Sequence, residues 1–549
     1  MTSPAPTNPN DTYTSPLASR NASPEMLRVW SPRHKFNTWR RIWLAVAQAQ
    51  HEVSDGALVT AEQVAELRGV VERGITDEEL VRAGELEAEL RHDVMAHVHC
   101  LAEQCPTAGP IIHLGCTSQD VVCNADLLAI HEALQLVDQK IGRAQFAIGI
   151  RAEEFASVPT LGFTHYQPAQ PTTVGRRLAG YAYDLKQALS YSFYVDFIED
   201  VTLRGFRGAT GTQASFLALF GNDAMKVNRF EALALWNLRV QFGFEESDQG
   251  FDEWHGLMNE FLKGLPDLPG DDHERPVFDE RQYITSKTFG LTGQTYPRVI
   301  DSHTLSALGS IASVLHKIAT DIRLLSNRKE IDEPFGKSQI GSSAMPYKRN
   351  PMKCERICGL TRFVMNLVGN AYDTAATQWL ERTLDDSSNR RLSLPEAFLA
   401  LDGALDLMYT VADGLVVHEA MVRKNLMAEL PFLATENILM EAVKAGGDRQ
   451  VLHEQIRVHA QAAGMRVKQE GLDNDLIERL RGDEAFKPVH HLLTEDGDGG
   501  GGLLDPMRYV GRAVEQTERF VAEVVGPLRE RYASELEAMG GVGGADRGV

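Results

Sequence analysis

The stretch between residues 305 and 325 constrains the fold more than any other part of the 549-residue chain. Its large apolar residues recur at alternating intervals of three and four, which places them on one side of an α-helix. These residues are Leu308, Ile311, Leu315, Ile318, Ile322 and Leu325. Such a seam requires a partner helix along its whole length. Since no sustained alternation of apolar residues occurs elsewhere, the sequence predicts an all-α fold of long, bundled helices.

Several other stretches carry helical patterns or helix-start signals. Ser23-Pro24-Glu25-Met26 combines a capping serine with a proline in the first turn, which is typical of a helix start. A stripe of apolar residues predicts a helix over 36–55. Further helices are predicted over 60–103 (two helices), from about 118 to 155, and over 172–200, 353–373, 392–417 and 420–445.

Three stretches depart from this pattern. Residues 1–24 are rich in Ser, Thr, Pro and Asn and are predicted to be disordered. Residues 232–281 contain Trp236, Trp254 and several Pro and Gly residues, and are predicted to be a surface insertion. Residues 497–502 satisfy G-x-G-x-x-G, but no strand leads into them, so we predict a flexible loop and no dinucleotide site.

The composition restricts the possible partners and the compartment. The formal net charge is −21 and the isoelectric point is near 5.3, which argues against general binding to nucleic acid or an anionic membrane. No apolar run is long enough to span a bilayer. The six cysteines form no C-x-x-C pair, so we predict reduced thiols in a cytoplasmic protein. An anionic ligand would need locally concentrated positive charge.

Residues 341–351, the sequence GSSAMPYKRNP, have the composition of a catalytic loop. Gly341 and the two serines after it make the first half flexible, while two prolines exclude a helix interior. Lys348 adds a positive charge beside Ser342 and Ser343. Helical patterns precede and follow the loop, so it is predicted to grip an anion between rigid elements. A plain surface linker is the alternative.

Two histidines are candidates for proton transfer. His165 lies in a predicted loop, where Thr164 and Gln167 could fix its tautomer, although an exposed loop histidine is an equal alternative. His92 lies between Arg91 and Asp93 on a predicted helix, where a surface ion-pair cluster is the plain alternative. The spacing of the histidines at 92, 97 and 99 does not match H-E-x-x-H, so we predict no metal site.

Positive residues concentrate in or beside these polar segments. They are Arg20, Arg91, Arg356, Arg382, Arg391 and Lys348. Guanidinium groups suit carboxylates and phosphates, and a cluster of them in an acidic chain indicates a substrate with several negative charges. For any single arginine, a surface salt bridge would be the simpler interpretation.

These motifs resemble a known family. The loop at 341–351 resembles the signature of the fumarase/aspartase superfamily of lyases, and Thr117-Ser118 and Thr164-His165 resemble its two other short signatures in the expected order. Within the superfamily, residues 91–99, 164–170, 345–350 and 381–387 are similar to the adenylosuccinate lyase family of the animal and fungal type. The similarity runs from about Ser19 to about residue 530.

The resemblance implies an all-helical, three-domain subunit in a homotetramer whose central domains form a shared helix bundle. We place a disordered tail at 1–24, an N-terminal helical domain at 25–116, a central helix-bundle domain at 117–417 with the insertion at 232–281, and a C-terminal helical domain at 418–549. Each site would take residues from three chains. The implied partner is a small phosphorylated purine or imidazole ribotide with a succinyl group, and no cofactor is needed.

The resemblance also implies roles for individual residues. The reactions would be the elimination of fumarate from adenylosuccinate, giving AMP, and from the succinyl-carboxamide ribotide (SAICAR), giving AICAR. Ser342 would be the base, His165 the acid, His92 an assisting residue and Lys348 the cation that stabilises the charge. The implied substrate-binding residues are Arg20, Arg91, Asp93, Thr117, Ser118, Thr164, Gln294, Asn350, Arg356, Arg382, Ser387 and Arg391.

Two alternatives stay open at this point. A related lyase of the superfamily, such as argininosuccinate lyase, is the nearer one, but Tyr347, Arg349 and residues 381–391 favour the purine enzyme. A non-catalytic helical scaffold is the other, and the joint presence of Ser342, His165 and Lys348 speaks against it. The physical properties of the loop do not decide between Ser342 and Ser343 as the base.

Overall fold

The structure is a computed structural model that describes residues 11–189, 197–245, 251–264, 279–336, 338–495 and 502–531. Nearly all regular structure in these ranges is helical, which confirms the predicted all-α fold. None of the helices in the described ranges is both long and apolar enough to cross a bilayer.

The α-helices are described in chain order. They are α1 (Pro24–Val29), α2 (Pro32–Val53), α3 (Ala61–Arg73), α4 (Asp77–Leu90), α5 (Asp93–Gln104), α6 (Ser118–Glu154), α7 (Val174–Leu189), α8 (Ala214–Leu219), α9 (Ala224–Gln241), α10 (Phe251–Gly264), α11 (Glu280–Lys287), α12 (Val299–Asn327), α13 (Met352–Ala376), α14 (Asp385–Asp413), α15 (Glu419–Leu433), α16 (Thr435–Lys444), α17 (Arg449–Met465), α18 (Leu476–Arg481), α19 (Ala513–Phe520) and α20 (Gly526–Arg531). Short 3₁₀ turns occur at Gly109–Ile111, Glu484–Leu492 and Pro506–Tyr509, and π turns at Leu17–Asn21, Arg466–Glu470 and Val521–Val525.

Two-residue strands form three antiparallel pairs within the described ranges. They are β1 (Pro159–Thr160) with β4 (Thr172–Thr173), β2 (Phe163–Thr164) with β3 (Gln167–Pro168), and β5 (Ile331–Asp332) with β6 (Val416–Val417). These strands are too short to form a sheet layer, so they shape loops between helices.

The helix start at Ser23-Pro24 is confirmed, but the disorder predicted for 1–24 is wrong at its end. The Ser23 hydroxyl accepts the Met26 N–H and caps α1. Ser23 is buried, and its N–H and hydroxyl donate to the two carboxylate oxygens of Asp402, at 2.6 and 3.1 Å. A polar composition gives no sign of a partner so distant in sequence. Residues 1–10 lie outside the described ranges.

The chain divides into two compact units. Unit 1 comprises Met1–Asp138, Leu189–Ser310 and Phe363–Gly403, and unit 2 comprises Gln139–Ala188, Ile311–Arg362 and Ala404–Val549. The three-domain boundaries proposed from the resemblance stay a prediction.

The helix that carries the apolar seam forms as predicted. It begins before residue 305 and ends after residue 325. The seam lies on α12, and its six residues are all at most 6% exposed. Within unit 2, Ile318 and Ile322 line one small cavity together with Ile148 of α6, Leu178 of α7 and Met408 of α14. The seam is therefore covered by other helices, as its pattern requires.

Unit 1 has a core in which α9 packs along α2 and against α11. Trp39 and Trp43 of α2 are almost fully buried, and so are Leu235 and Trp236 of α9. The prediction of a surface insertion is therefore wrong for residues 232–241. The helix α9 is buried on most of its sides, so it shows no amphipathic stripe that would identify it in sequence. Residues 246–250 and 265–278 of the predicted insertion lie outside the described ranges.

The C-terminal part of unit 2 has a separate hydrophobic core. Helices α16, α17 and α18 and the turn at Glu484–Leu492 surround it. Ile438, Leu452, Leu480 and Phe486 are among its buried residues. Most of the predicted glycine loop at 497–502 lies outside the described ranges.

Candidate active site

A break between α4 and α5 positions His92. The sequence predicted two helices over 60–103, but the structure has three, because Arg91 adopts the left-handed region with φ of 54° and ends α4. His92 is then the N-cap of α5, and its Nδ1 accepts the Met95 N–H at 3.3 Å. A ring nitrogen that accepts an N–H carries no proton, so neutral His92 carries its proton on Nε2. That nitrogen lies 3.5 Å from the Ser118 hydroxyl oxygen.

Asp93, the first residue of α5, is paired with Arg391. One carboxylate oxygen accepts the Val94 N–H at 2.8 Å, and the other accepts from the Arg391 guanidinium at 2.5 Å. Burial acts to raise the pKa of Asp93, but the Val94 amide and Arg391 outweigh it and hold the pKa below its ordinary value of 3.8. Asp93 is therefore a stable anion that fixes one of the predicted substrate-binding arginines.

Arg382 lies in the turn before α14 and is held by neutral groups. Its terminal nitrogens donate to Gln294 Oε1 and to Ser387 Oγ, both at 2.9 Å. The amide oxygen of Gln119, in the orientation that satisfies both groups, lies 3.1 and 3.2 Å from the same nitrogens. The Nε of Arg382 is buried and has no acceptor within the described residues. These hydrogen bonds orient the guanidinium without neutralising its positive charge.

A buried ionic network supports this arginine. Asp386, in the first turn of α14, accepts from Nε and a terminal nitrogen of Arg298 at 2.8 and 2.7 Å. Arg382 approaches the other oxygen of Asp386 at 3.8 Å. One helical turn later, Arg390 donates to Asp301 at 2.6 Å and to Asp126 at 2.8 Å. The start of α14, which carries Ser387 and Arg391, is therefore fixed by two buried arginines.

These groups surround a cavity of about 720 Å³ in unit 1. Its lining includes five cationic side chains, from Lys35, Arg91, Arg382, Arg390 and Arg391, and three acidic ones, from Glu87, Asp93 and Asp126. The cavity is therefore net positive in a chain whose formal net charge is −21. Such a local excess of positive charge suits an anionic ligand.

The free N–H groups at the start of a helix can hold an anion, but one of them is already engaged at the start of α6. The Thr117 N–H, which could have bound an anion, donates to Asp120 Oδ2 at 2.7 Å. Asp120 is fully buried and is also paired with Arg204. Ser118, which faces His92, remains the polar group that this end of α6 contributes to the cavity.

His165 lies at the tip of a tight hairpin in unit 2. The strands β2 and β3 leave His165 and Tyr166 as the turn, with φ of 52° and 56°, which is the geometry of a type I′ turn. The His165 side chain is exposed. Gln167 donates to the Tyr166 carbonyl at 3.3 Å, and neither Thr164 nor Gln167 fixes the imidazole tautomer by a hydrogen bond among the described residues.

The serine loop of residues 341–351 is closed by its own contacts in unit 2. A Cβ at Gly341 would lie 2.2 Å from the Lys348 carbonyl oxygen, so the loop requires glycine there. Asn350 donates its side-chain N–H to the Gly341 carbonyl at 2.9 Å. Ser342 is half-buried and its hydroxyl accepts the Met345 N–H at 3.2 Å, whereas Ser343 and Lys348 are exposed.

A buried glutamate anchors the end of this loop. Glu333 accepts the N–H groups of Lys353 and Cys354 at 3.0 and 2.9 Å, which satisfies the first turn of α13. Burial raises the pKa of Glu333 even though both amides favour the anion. The loop therefore extends from a fixed helix start, which limits its movement to the exposed part. Among the described residues, no three His, Cys, Asp or Glu side chains are placed to hold a metal ion.

The full length of the chain is similar to known lyases. A family profile described as "Lyase" matches residues 20–235 and 294–366, and one described as "Adenylosuccinate lyase C-terminus" matches residues 431–520. The adenylosuccinate lyase of Saccharomyces cerevisiae is 44% identical over 526 residues, which cover 96% of this chain and 97% of that protein. This chain belongs to the adenylosuccinate lyase family. The resemblance read from the motifs is thereby confirmed.

Two further comparisons agree with this family and fold. The adenylosuccinate lyase of Schizosaccharomyces pombe is 42% identical over 95% of this chain and 98% of that protein. The 3-carboxy-cis,cis-muconate lactonizing enzyme from Pseudomonas putida has a similar structure, with a TM-score of 0.68 over 94% of this chain and 99% of that chain. Its sequence identity is only 22%, so this likeness concerns the fold.

The structure brings together one group of the predicted site residues in unit 1. They are His92, Asp93, Ser118, Gln294, Arg382, Ser387 and Arg391. Arg91 lines the same cavity, Thr117 precedes Ser118, and Arg20 is exposed in the π turn before α1. The other predicted residues belong to unit 2 and are Thr164, His165, Ser342, Lys348, Asn350 and Arg356.

Sequence reasoning missed several residues of the cavity and its support. Gln119 and Asp386 lie within polar segments that were already singled out, so the density of polar residues there was a usable signal. Arg298 and Lys35 lie on ordinary helical stretches, and nothing in the local sequence marks them. Their importance depends on contacts with residues far away in the chain.

Proposed function

We propose that this chain eliminates fumarate from adenylosuccinate, giving AMP, and from SAICAR, giving AICAR. The observation that carries the proposal is the 44% identity to a curated adenylosuccinate lyase over 96% of the chain. The net positive cavity supports it, because both substrates carry a phosphate and two carboxylates.

The proposed base is Ser342. The reaction removes a proton from a carbon beside a carboxylate, and the base must carry negative charge before it does so. The Ser342 hydroxyl oxygen accepts the Met345 N–H, and a donor at that oxygen favours its negatively charged form. Ser343 has no such donor among the described residues, so this contact favours Ser342 of the two. We propose that Lys348 and Asn350 stabilise the aci-carboxylate that forms.

The proposed acid is His165, which would protonate the departing nitrogen. Its position at the tip of a rigid hairpin supports this, because the exposed ring can reach a ligand without moving the backbone. We propose that His92 assists as a hydrogen-bond donor through Nε2. The capping bond at its Nδ1 favours that tautomer, which makes it a positioning group for the substrate.

We propose that the substrate is bound by a set of cationic and polar side chains. The set comprises Arg20, Arg91, Asp93, Thr117, Ser118, Thr164, Gln294, Arg356, Arg382, Ser387 and Arg391. The contacts of Arg382 support its assignment to an anionic group, since its hydrogen bonds go to neutral partners and its nearest carboxylate, that of Asp386, lies 3.8 Å away and is hydrogen-bonded to Arg298. We expect no cofactor, because the elimination needs only acid, base and charge stabilisation.

We propose a homotetramer in which each site takes residues from three chains, and that it acts in the cytoplasm. Several large apolar side chains near the predicted site residues are more than 70% exposed in the single chain, including Ile340, Tyr347, Trp379 and Leu380. Surfaces of this kind are typical of subunit interfaces. Light scattering tests whether the chain forms a tetramer. Mixing two inactive variants, Ser342→Ala and His165→Asn, tests whether one site takes residues from several chains, because mixed tetramers would then recover activity.

Fumarate release followed by ultraviolet absorbance tests the function directly. We expect turnover with adenylosuccinate and loss of nearly all of it in Ser342→Ala, while the neighbouring Ser343→Ala keeps most activity. Near-normal turnover of Ser342→Ala would refute the base assignment. Release of fumarate from argininosuccinate and not from adenylosuccinate would refute the proposed substrate.

A further inference from the structure

Lys35 lines the cavity but does not belong to the proposed set of substrate-binding residues. It lies in the first turn of α2, is half-buried and lines the cavity beside Asp93 and Arg391. Its Nζ lies 4.8 Å from the ring centroid of Trp39 and 5.3 Å from that of Phe36. Among the described residues, it forms no hydrogen bond and no ion pair. The aromatic rings hold the ammonium in place but do not neutralise it.

Two of the three acidic groups near Lys35, Asp93 and Asp126, already have other partners. Asp93 is paired with Arg391 at 2.5 Å and Asp126 with Arg390 at 2.8 Å. Burial lowers the pKa of Lys35, and the positive charge of Arg391 lowers it further, against the opposing effect of Asp126, Asp93 and Glu87. The cavity therefore holds a poorly solvated ammonium that no carboxylate of the described residues contacts as an ion pair.

A partly buried charge without a counterion is unfavourable unless something else compensates it. Replacing lysine by an apolar residue of similar length would remove this cost, so stability does not explain Lys35. A ligand with anionic oxygen atoms would compensate it, because each could accept a charge-assisted hydrogen bond.

We propose that Lys35 is a substrate-binding residue whose ammonium donates to an anionic oxygen, of a phosphate or a carboxylate, on the ligand that fills this cavity beside Arg391. This inference rests on the proposed function and adds a residue to its site. The proposed substrates carry both kinds of group, so the experiment distinguishes them with inorganic phosphate and succinate as separate probes.

The test compares Lys35→Met with Arg41→Met in the full-length protein. Methionine keeps most of the apolar stem that packs on Phe36 and Trp39. Arg41 is a matched control, since it also lies on α2 with its guanidinium 5.0 Å from an aromatic ring centroid, that of Phe242, but does not line the cavity. Lys35→Arg keeps the charge and serves as the conservative variant.

We expect Lys35→Met to raise KM for adenylosuccinate about 10- to 100-fold, as for a lost hydrogen bond to a charged group, with kcat changed by no more than about twofold. Lys35→Arg should recover much of the affinity, and Arg41→Met should leave KM unchanged. The inhibition constant of inorganic phosphate should rise in parallel if Lys35 binds the phosphate, and that of succinate if it binds a carboxylate.

Three outcomes decide the proposal. An unchanged KM with unchanged phosphate and succinate inhibition overturns it. A lower melting temperature of ligand-free Lys35→Met with unchanged KM also overturns it, because Lys35 would then only stabilise the fold. If the wild-type chain does not turn over adenylosuccinate, the proposed function fails, and calorimetric titration with inorganic phosphate and succinate still tests Lys35. Weaker binding of either anion by Lys35→Met than by the wild-type protein then supports an anion site. Unchanged binding of both anions refutes it.

Discussion

Asp386→Asn tests whether the start of α14 depends on its buried ion pair. The side chains of Asp386 and Arg298 are 0% and 2% exposed, and two guanidinium nitrogens of Arg298 reach one carboxylate oxygen. Asparagine has the same shape and keeps one acceptor oxygen. It removes the negative charge, however, and leaves the guanidinium buried without a counterion.

The expected cost follows from this geometry. Removing one partner of a buried ion pair costs about 3–5 kcal/mol of unfolding free energy. The remaining amide oxygen can still accept one hydrogen bond, worth about 1 kcal/mol. We therefore expect Asp386→Asn to lose about 3 kcal/mol. Because Arg382 and Ser387 approach the other carboxylate oxygen, KM for adenylosuccinate should rise as well.

Equilibrium urea unfolding followed by circular dichroism at pH 7 measures this cost. Asp77→Asn is the matched control, because Asp77 is also in the first turn of a helix and paired with an arginine, Arg33, but its side chain is 84% exposed. We expect the control to lose no more than about 1 kcal/mol. A loss for Asp386→Asn within about 0.5 kcal/mol of the control would refute the reasoning.

A double variant separates stability from positioning. Arg298→Met with Asp386→Leu replaces both charges by apolar groups of similar size, which is often neutral or stabilising for a buried pair. We expect the double variant to recover most of the lost stability but not the affinity for adenylosuccinate. Recovery of both would mean that the pair does not orient Arg382.

Three further predictions concern other parts of the chain. Burial, with Arg40 and Lys35 nearby, lowers the pKa of His97 from 6.5 to about 4, so the unfolded state binds more protons between these values and stability falls as the pH falls through them. The loss should reach about 3 kcal/mol, and His97→Phe should reduce the pH dependence of the unfolding free energy by about that amount; an unchanged slope would contradict the assignment. Gly341→Ala should strongly reduce fumarate release because its Cβ would clash with the Lys348 carbonyl, whereas Gly359→Ala, with open space around it, should remain active; equal activity of the two variants would be inconsistent with a closed loop. Incubation with EDTA should leave fumarate release unchanged, and a loss that zinc restores would show a metal requirement.

Local patterns in the sequence were sufficient to predict the elements that depend only on neighbouring residues. The seam on α12 was predictable because its spacing follows from helix geometry, whatever the partner helix is. The start of α1 was predictable because Ser23 and Pro24 act within one turn. The loop at 341–351 was recognisable as a candidate catalytic loop because its unusual residues are adjacent in sequence. Each of these signals lies within a few residues of the feature that it predicts.

The contacts and local geometry that sequence reasoning missed depend on the tertiary structure. Ser23 is ordered by Asp402, and Asp93 is held by Arg391, which is 298 residues away. The position of His92 as a cap depends on one left-handed residue, Arg91, which a propensity for helix does not predict. The place of Lys35 in the cavity depends on five other helices that contribute to the lining. Such features can be recognised only in the tertiary structure, because no local pattern in the sequence indicates them.

The charges of the cavity limit what its ligand can be. Arg391 and Arg390 are compensated by Asp93 and Asp126, so they contribute little uncompensated charge. Arg382 is hydrogen-bonded to neutral side chains, and Lys35 forms no hydrogen bond or ion pair among the described residues. The formal balance of the five cationic and three acidic side chains of the lining leaves two positive charges for a ligand. A phosphate monoester carries up to two negative charges near neutral pH. A ligand without anionic groups would leave this positive charge uncompensated, so electrostatics favours an anionic ligand over a neutral one.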